Sequence, residues 1–155
     1  MKAIQWRPAL TSILLAVLAG QIAHLLAGNI AGAYAMLAGP PLSPPIWLMA
    51  AVWFILYILM GYAAYRIWIS ENPEKKPAIR LYGAQLLLNC IWPLVFFRWG
   101  AMWVAVILAA VLAVLVSLTL RRFSVIDRRA GQLLFPYLAW VLYGVYLSVG
   151  FAILN

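Results

Sequence analysis

At 155 residues, 68% of them hydrophobic and only 9% charged, the chain has too little charge for an ordinary soluble domain, in which roughly 25% of residues are charged. Its single cysteine, Cys90, excludes an internal disulfide and argues against a zinc site. The formal net charge of +8 would suit nucleic acid, but the places where the charges fall give them a different use.

Five apolar stretches, about 8–27, 45–69, 79–97, 101–120 and 131–154, each approach the ~20 residues that cross a ~30 Å hydrocarbon core as a helix. Lipid offers the backbone no hydrogen-bond partners, so each stretch is expected to be helical. The expected fold is all-α: a polytopic membrane protein with a bundle of five transmembrane helices in one domain over residues 1–155. Lys2 and Arg7 precede the first stretch, as in a signal peptide, but the apolar run continues past "VLAG" to Leu26, which favours a retained span. His24 has no Asp, Glu or Cys beside it in this span and reads as a packed or hydrogen-bonded histidine rather than a metal ligand.

The stretch "PPLSPPIWLMAAVW", residues 40–53, holds four prolines and no charge. Proline restricts itself and the residue before it, so such a loop loses little entropy on ordering and can roof an apolar pocket. Pro44 or Pro45 is expected in the first turn of the second span, where a missing N–H costs little. Trp53 and Tyr57 follow, four residues apart. "NPEKKPAIR" separates the second span from the third.

In the third span Gln85 and Asn89 share a face, and Trp92 and Phe96 continue it at helical spacing. Polar groups inside spans are costly and so are candidate sites. Two readings stay open here: a pocket wall of amides and aromatic plates, or interhelical hydrogen bonding. Pro93 should kink this helix, and Cys90 reads as a small buried hydrophobe. "FRWGAM" allows only a tight turn before the fourth span. There Ala101, Ala105, Ala109 and Ala113 form a stripe of small residues, open to a neighbour in the same chain or in a second one. "RRFSVIDRR" separates the fourth span from the fifth, which carries Tyr137, Trp140, Tyr143, Tyr146 and Ser148. Trp6, Trp47, Trp68 and Trp99 lie near span ends and read as an interfacial belt; Trp53 and Trp140 lie deeper.

With the N-terminus on one side, Lys2, Arg7, Arg66, Lys75, Lys76, Arg80, Arg121, Arg122, Arg128 and Arg129 all fall on that side, and only Arg98 falls on the other. The positive-inside rule then puts the N-terminus in the cytoplasm and the proline loop and C-terminus outside. The basic excess is a topology device with affinity for anionic lipid, and no nucleic-acid partner is needed to explain it. The acids Glu71, Glu74 and Asp127 all lie between spans, which argues against a carboxylate proton relay. No phosphate-cradling glycine loop or nucleophile–base–acid set is present.

Three segments resemble the TspO/MBR family, the tryptophan-rich sensory proteins, translocator proteins and peripheral-type benzodiazepine receptors. They are the loop and second span "PPLSPPIWLMAAVWFILY", the third-span run "QLLLNCIWPLVFF" and "PYLAW" in the fifth. The likeness runs from about Tyr34 onward. It implies a five-helix bundle, commonly a homodimer, with a pocket closed by the loop after the first helix. Porphyrins, sterols and benzodiazepine-type compounds are the ligands it implies, with no required cofactor beyond a porphyrin- or haem-like ligand. The expected setting is a bacterial cell membrane. Carried over by motif, Trp53, Asn89, Trp92, Phe96 and Trp140 would line the pocket. Tyr34, Leu42, Tyr57, Gln85 and Tyr143 complete the candidate ligand-binding set. If the protein degrades porphyrins in light, as some bacterial members do, Trp53 and Trp140 would be the catalytic pair.

The sequence departs from the family at several points. Leu42 replaces a loop tryptophan, "AYAML" keeps only Tyr34 and Leu37 of a W-Y-D-like stretch, and Ser148 stands where asparagine is common. No basic residue follows Tyr146, which removes the proposed sterol motif. The leading expectation is a membrane protein that binds a flat apolar ligand such as a tetrapyrrole, in a sensory, regulatory or transport role. A light- and oxygen-dependent porphyrin-degrading enzyme and a ligand-free scaffold are the alternatives.

Overall fold

The computed structural model describes residues 5–155; Lys2, part of the topology argument, lies outside the described residues. The described chain forms helices α1 (Trp6–Ala27), α2 (Ile30–Met36), α3 (Ile46–Trp68), α4 (Lys75–Pro93), α5 (Met102–Ile126) and α6 (Arg128–Leu154). A π-helical turn, Leu94–Arg98, extends α4. Five helices, with α4 counted through Arg98, are long and apolar enough to span a bilayer, as the hydropathy pattern predicts. They close a ring in the order α1–α3–α6–α5–α4, each packed on its two neighbours. Leu10, Leu14, Leu18 and Ile22 of α1 and Ile107, Val111 and Val114 of α5 lie exposed on its outside. In an integral membrane protein these faces meet lipid, which costs nothing for such side chains.

Two helix boundaries differ from the sequence reading. The loop expected at "RRFSVIDRR" shrinks to a single residue, Asp127, between α5 and α6. The turn can be this short because Gly131 has no side chain: a Cβ there would lie 1.9 Å from the Ser124 Oγ and 2.9 Å from its Cα. Asp127 then caps α6, its Oδ1 accepting from the Arg129 and Ala130 amides at 2.9 and 3.3 Å. The second difference is α2, an extra helix in the first loop. Asn29 starts it by accepting the Gly32 N–H at 3.0 Å, and seven residues complete it.

The prolines divide by position. Pro8 and Pro77 sit in first turns, where a missing N–H is harmless. Pro45 stands one residue outside the first turn of α3, as its N-cap. Pro93 closes the regular part of α4. The following turn widens, and Trp99 N–H bonds back to Leu94 at 3.0 Å, so the helix answers Pro93 with a π-turn.

Packing rests on small residues at close approaches. Gly61 of α3 meets the α1 backbone; a Cβ there would lie 2.5 Å from Ile13 Cα and 2.8 Å from the Ser12 carbonyl. The Ser12 hydroxyl donates to the Gly61 carbonyl at 2.7 Å in that gap. The alanine stripe of α5 turns inward: Ala105, Ala109 and Ala113 are buried within this chain. One buried cluster, around Met60, Ile67, Val116, Phe123, Leu134 and Tyr137, fills the half of the bundle nearer the basic loops. A second, around Val95, Phe96, Leu147 and Phe151, lies under the proline loop.

Candidate functional site

Between these clusters lies a cavity of about 260 Å³ whose lining residues come from all six helices. Its aromatic walls are Trp53 of α3, Trp92 and Phe97 of α4 and the following turn, and Trp140 of α6. A smaller space of about 40 Å³ shares Trp53, Trp92 and Trp140 and reaches Tyr34, Phe96 and Tyr143 beneath the loop. The rings are held by one another. Trp92 stacks on Phe96 with centroids 4.9 Å apart, and its indole N–H donates to the Ala105 carbonyl at 2.9 Å. Trp53 lies 5.8 Å from the Tyr57 ring and 6.3 Å edge-on to Tyr137. Trp140 lies 5.3 Å from Tyr143.

A relay of hydrogen bonds crosses the cavity floor. The Tyr57 hydroxyl donates to Asn89 Oδ1 at 2.6 Å, Asn89 Nδ2 donates to the Tyr137 hydroxyl at 3.0 Å, and that hydroxyl donates to Gln85 Oε1 at 2.6 Å. It joins α3, α4 and α6 in a region where an unpaired polar group is costly. The two readings of the Gln85–Asn89 face therefore divide between the residues. Asn89 both lines the cavity and bridges helices. Gln85 is fully buried behind it and lines neither space, and its Nε2 has no partner. Tyr137 is the bridge that the spacing argument missed. Its place in the relay depends on pairing across the bundle, which no local pattern encodes. Gly20 of α1 makes room for the relay, since a Cβ there would sit 2.2 Å from the Tyr57 ring.

The proline loop is fastened to α6. Tyr143 and Tyr146 donate their hydroxyls to the carbonyls of Leu42 and Pro41, the latter at 2.7 Å. Tyr34 donates to Pro44, and the Ser43 hydroxyl to Pro40, each at 2.7 Å. Burial holds the Tyr34 hydroxyl above its ordinary ionisation range, so it remains a neutral donor. Pro40 packs where Gly150 leaves a gap; a Cβ at Gly150 would meet its ring at 2.5 Å. Tyrosine hydroxyls thus satisfy the carbonyls of a segment whose prolines cannot donate. Leu42 lies outside the site: it is 83% exposed, lines neither space and has a φ of 67°.

Two polar residues of α1 join the cavity unforeseen. Gln21 and His24 both line it, and both are exposed, so the cavity reaches the surface beside α1. His24 is therefore not packed, and neither side chain hydrogen-bonds another described residue. Cys90 is half-buried on α4, its thiol donating to the Ala19 carbonyl at 3.5 Å. Trp6, Trp47, Trp68 and Trp99 are exposed close to helix ends, as a belt requires.

The TspO/MBR family pattern matches residues 11–154. The chain is 35% identical over 147 residues to the Translocator protein of Bos taurus, covering 92% of this chain and 87% of that protein. It is 32% identical over 126 residues to the Tryptophan-rich protein TspO of Chlorobaculum tepidum, covering 79% and 78%. It is 36% identical over 107 residues to the Tryptophan-rich sensory protein of Cereibacter sphaeroides, covering 69% of this chain.

Proposed function

The chain belongs to the TspO/MBR family, and from that premise we propose that it binds a flat, mostly apolar molecule, a porphyrin or related tetrapyrrole, within its helix bundle. The observation that carries this reading is one cavity walled by three indoles, Trp53, Trp92 and Trp140, over a floor carrying the Asn89 amide and the Tyr57 hydroxyl. Indole faces suit a planar ring system, and a few placed polar groups in an apolar lining suit a small-molecule site. At about 260 Å³ the cavity lies just below the ~300–1,000 Å³ common for such sites. A macrocycle therefore enters with an edge in the opening beside α1 or with the proline loop displaced. The role is sensory, regulatory or in transport, in a bacterial cell membrane with the basic loops on the cytoplasmic side; a homodimer is the expected assembly.

Titrating the purified protein with protoporphyrin by absorbance and calorimetry tests the reading. Saturable binding that weakens in Trp53→Ala and Trp140→Ala supports it, and binding indifferent to both overturns it. Light- and oxygen-dependent breakdown of the ligand is the second reading, favoured by the joint presence of Trp53 and Trp140 on the cavity. It requires product formation under illumination that disappears in the Trp53→Phe/Trp140→Phe double variant.

A further inference from the structure

The basic residues at one end of the bundle are unevenly engaged. Arg66 meets Asp127 at 2.6 Å and Arg122 meets Glu74 at 3.4 Å. Arg121, Arg128 and Arg129 are exposed, and their side chains have no partner among the described residues. They stand together because a single residue, Asp127, joins α5 to α6. Arg121 lies about 7 Å along the axis before Ile126, the last residue of α5. Arg128 and Arg129 open α6 beside it. The acid of the turn, Asp127, is already engaged by Arg66, so these three guanidinia are left without a counter-charge.

Below these arginines the surface is apolar. On α5, Val114 and Leu118 are exposed on one face, Arg121 continues that face at helical spacing, and exposed Val125 ends it. On α6, Arg128, Phe135 and Leu142 form a matching row at two-turn spacing, with both apolar members exposed. The two helices are neighbours in the ring. Two lipid-facing strips therefore run side by side and end at the same guanidinium cluster. A guanidinium fork pairs with phosphate through two parallel hydrogen bonds. A lipid with one phosphate and two chains uses only part of such a surface, whereas two linked phosphates with four chains fit both helices at once.

We propose that the outer face of the α5–α6 hairpin binds an anionic phospholipid with two phosphates, of the cardiolipin class. Its headgroup lies on Arg121, Arg128 and Arg129, and its acyl chains lie along the two apolar strips. Basic sites between membrane helices hold such headgroups in other proteins. This site is separate from the cavity and does not depend on what the cavity binds. Orientation does not account for the three arginines, because Arg7, Lys75, Lys76, Arg80 and Arg122 mark that side without them.

The test is native mass spectrometry of the full chain, titrated in detergent with cardiolipin and with phosphatidylglycerol at equal phosphate. The wild type should bind one cardiolipin about fivefold or more tighter than phosphatidylglycerol, the contribution of one further basic contact at a charged surface. Arg121→Gln/Arg128→Gln/Arg129→Gln should abolish that preference. Arg7→Gln/Lys76→Gln/Arg80→Gln, which removes the same charge from exposed positions on α1 and α4, should keep it. Thermal unfolding in lipid-free detergent checks that both variants are folded. Equal binding of the two lipids by the wild type, or equal loss in both triple variants, overturns the proposal. So does soluble pyrophosphate that competes as well as the lipid. A lipid-free dimer that only the α5–α6 variant splits would assign the face to a second copy of the chain and overturn it too.

Discussion

The carboxamide of Asn155 pairs with both backbone polar groups of Ala38, accepting its N–H at 2.9 Å and donating to its carbonyl at 3.0 Å. The end of α6 thereby closes onto the start of the proline loop. Together with Tyr143, Tyr146 and Pro40 at Gly150, it makes the loop a strap fixed at several points along one helix. Asn155→Ala removes two of these bonds, each worth ~0.5–1.5 kcal/mol net. We expect the Ala38 amide to exchange with solvent about five- to a hundredfold faster, read by hydrogen-exchange mass spectrometry. Exchange in the helix interiors should be unchanged, because no core contact is lost. Unaltered exchange at Ala38 would show that the pairing does not hold the loop.

Asn89 carries the second prediction. Asn89→Leu leaves the Tyr57 hydroxyl without its acceptor and the Tyr137 hydroxyl without its donor, both in the bundle interior. The variant should be destabilised and should also bind ligand more weakly, since the residue serves both purposes. A double-mutant cycle with Tyr57→Phe isolates the bond, with an expected coupling of ~0.6–1.7 kcal/mol, the range for side-chain hydrogen bonds between membrane helices. Strict additivity in thermal unfolding would remove the relay as a stabilising element.

What could be read in the sequence follows from what lipid demands. The five spans were legible because every residue facing hydrocarbon must be apolar, whatever its partner. The Asn89–Trp92–Phe96 face was legible because helical spacing alone aligns it. Tyr137 was not, since its hydroxyl finds Gln85 only after α4 and α6 are brought together. Nor was the one-residue turn at Asp127, where the run of arginines looks like a loop and the deciding feature is Gly131 meeting Ser124. His24 was misjudged for a related reason. A solitary histidine in an apolar run gives no sign of whether it faces a neighbour or an opening, and this one faces the cavity.

Leu42 shows the same limit in the backbone. The sequence offers it as a lost aromatic contact, but its side chain points away from both spaces and its φ is 67°. That conformation costs an L-residue of this kind roughly 1–2 kcal/mol, while glycine adopts it freely at a chain-entropy cost of ~0.5–1 kcal/mol. Leu42→Gly should therefore be neutral or stabilising by up to ~1 kcal/mol in thermal unfolding. Leu42→Val, with branching at Cβ, should destabilise. Leu42→Trp should leave porphyrin affinity unchanged. A gain in affinity for the tryptophan variant would mean that the loop turns this position inward on binding.

Asp127 carries the last prediction, at the opposite end of the bundle. Its carboxylate caps α6 through two backbone amides and meets Arg66 of α3 at 2.6 Å. Partial burial pushes its pKa up, but the Arg66 hydrogen bond and charge and the Ala130 and Arg129 amides outweigh that, so the net shift is downward. A carboxyl group held below its unfolded value of ~3.9 contributes stability that is fully present above that value and is lost as pH falls through the lower, folded value. Asp127→Asn keeps a good N-cap but loses the charge facing Arg66. It should cost ~0.2–1 kcal/mol at neutral pH, the range for partly exposed ion pairs. Asp127→Ala should cost ~0.5–2 kcal/mol more through the lost cap. The gap between wild type and Asp127→Asn, measured by thermal unfolding in detergent, should stay constant from neutral pH down to about 4 and shrink below it. A gap that stays constant below pH 4, or one that already narrows near pH 6, would show that Asp127 does not hold α6 against α3 through its charge.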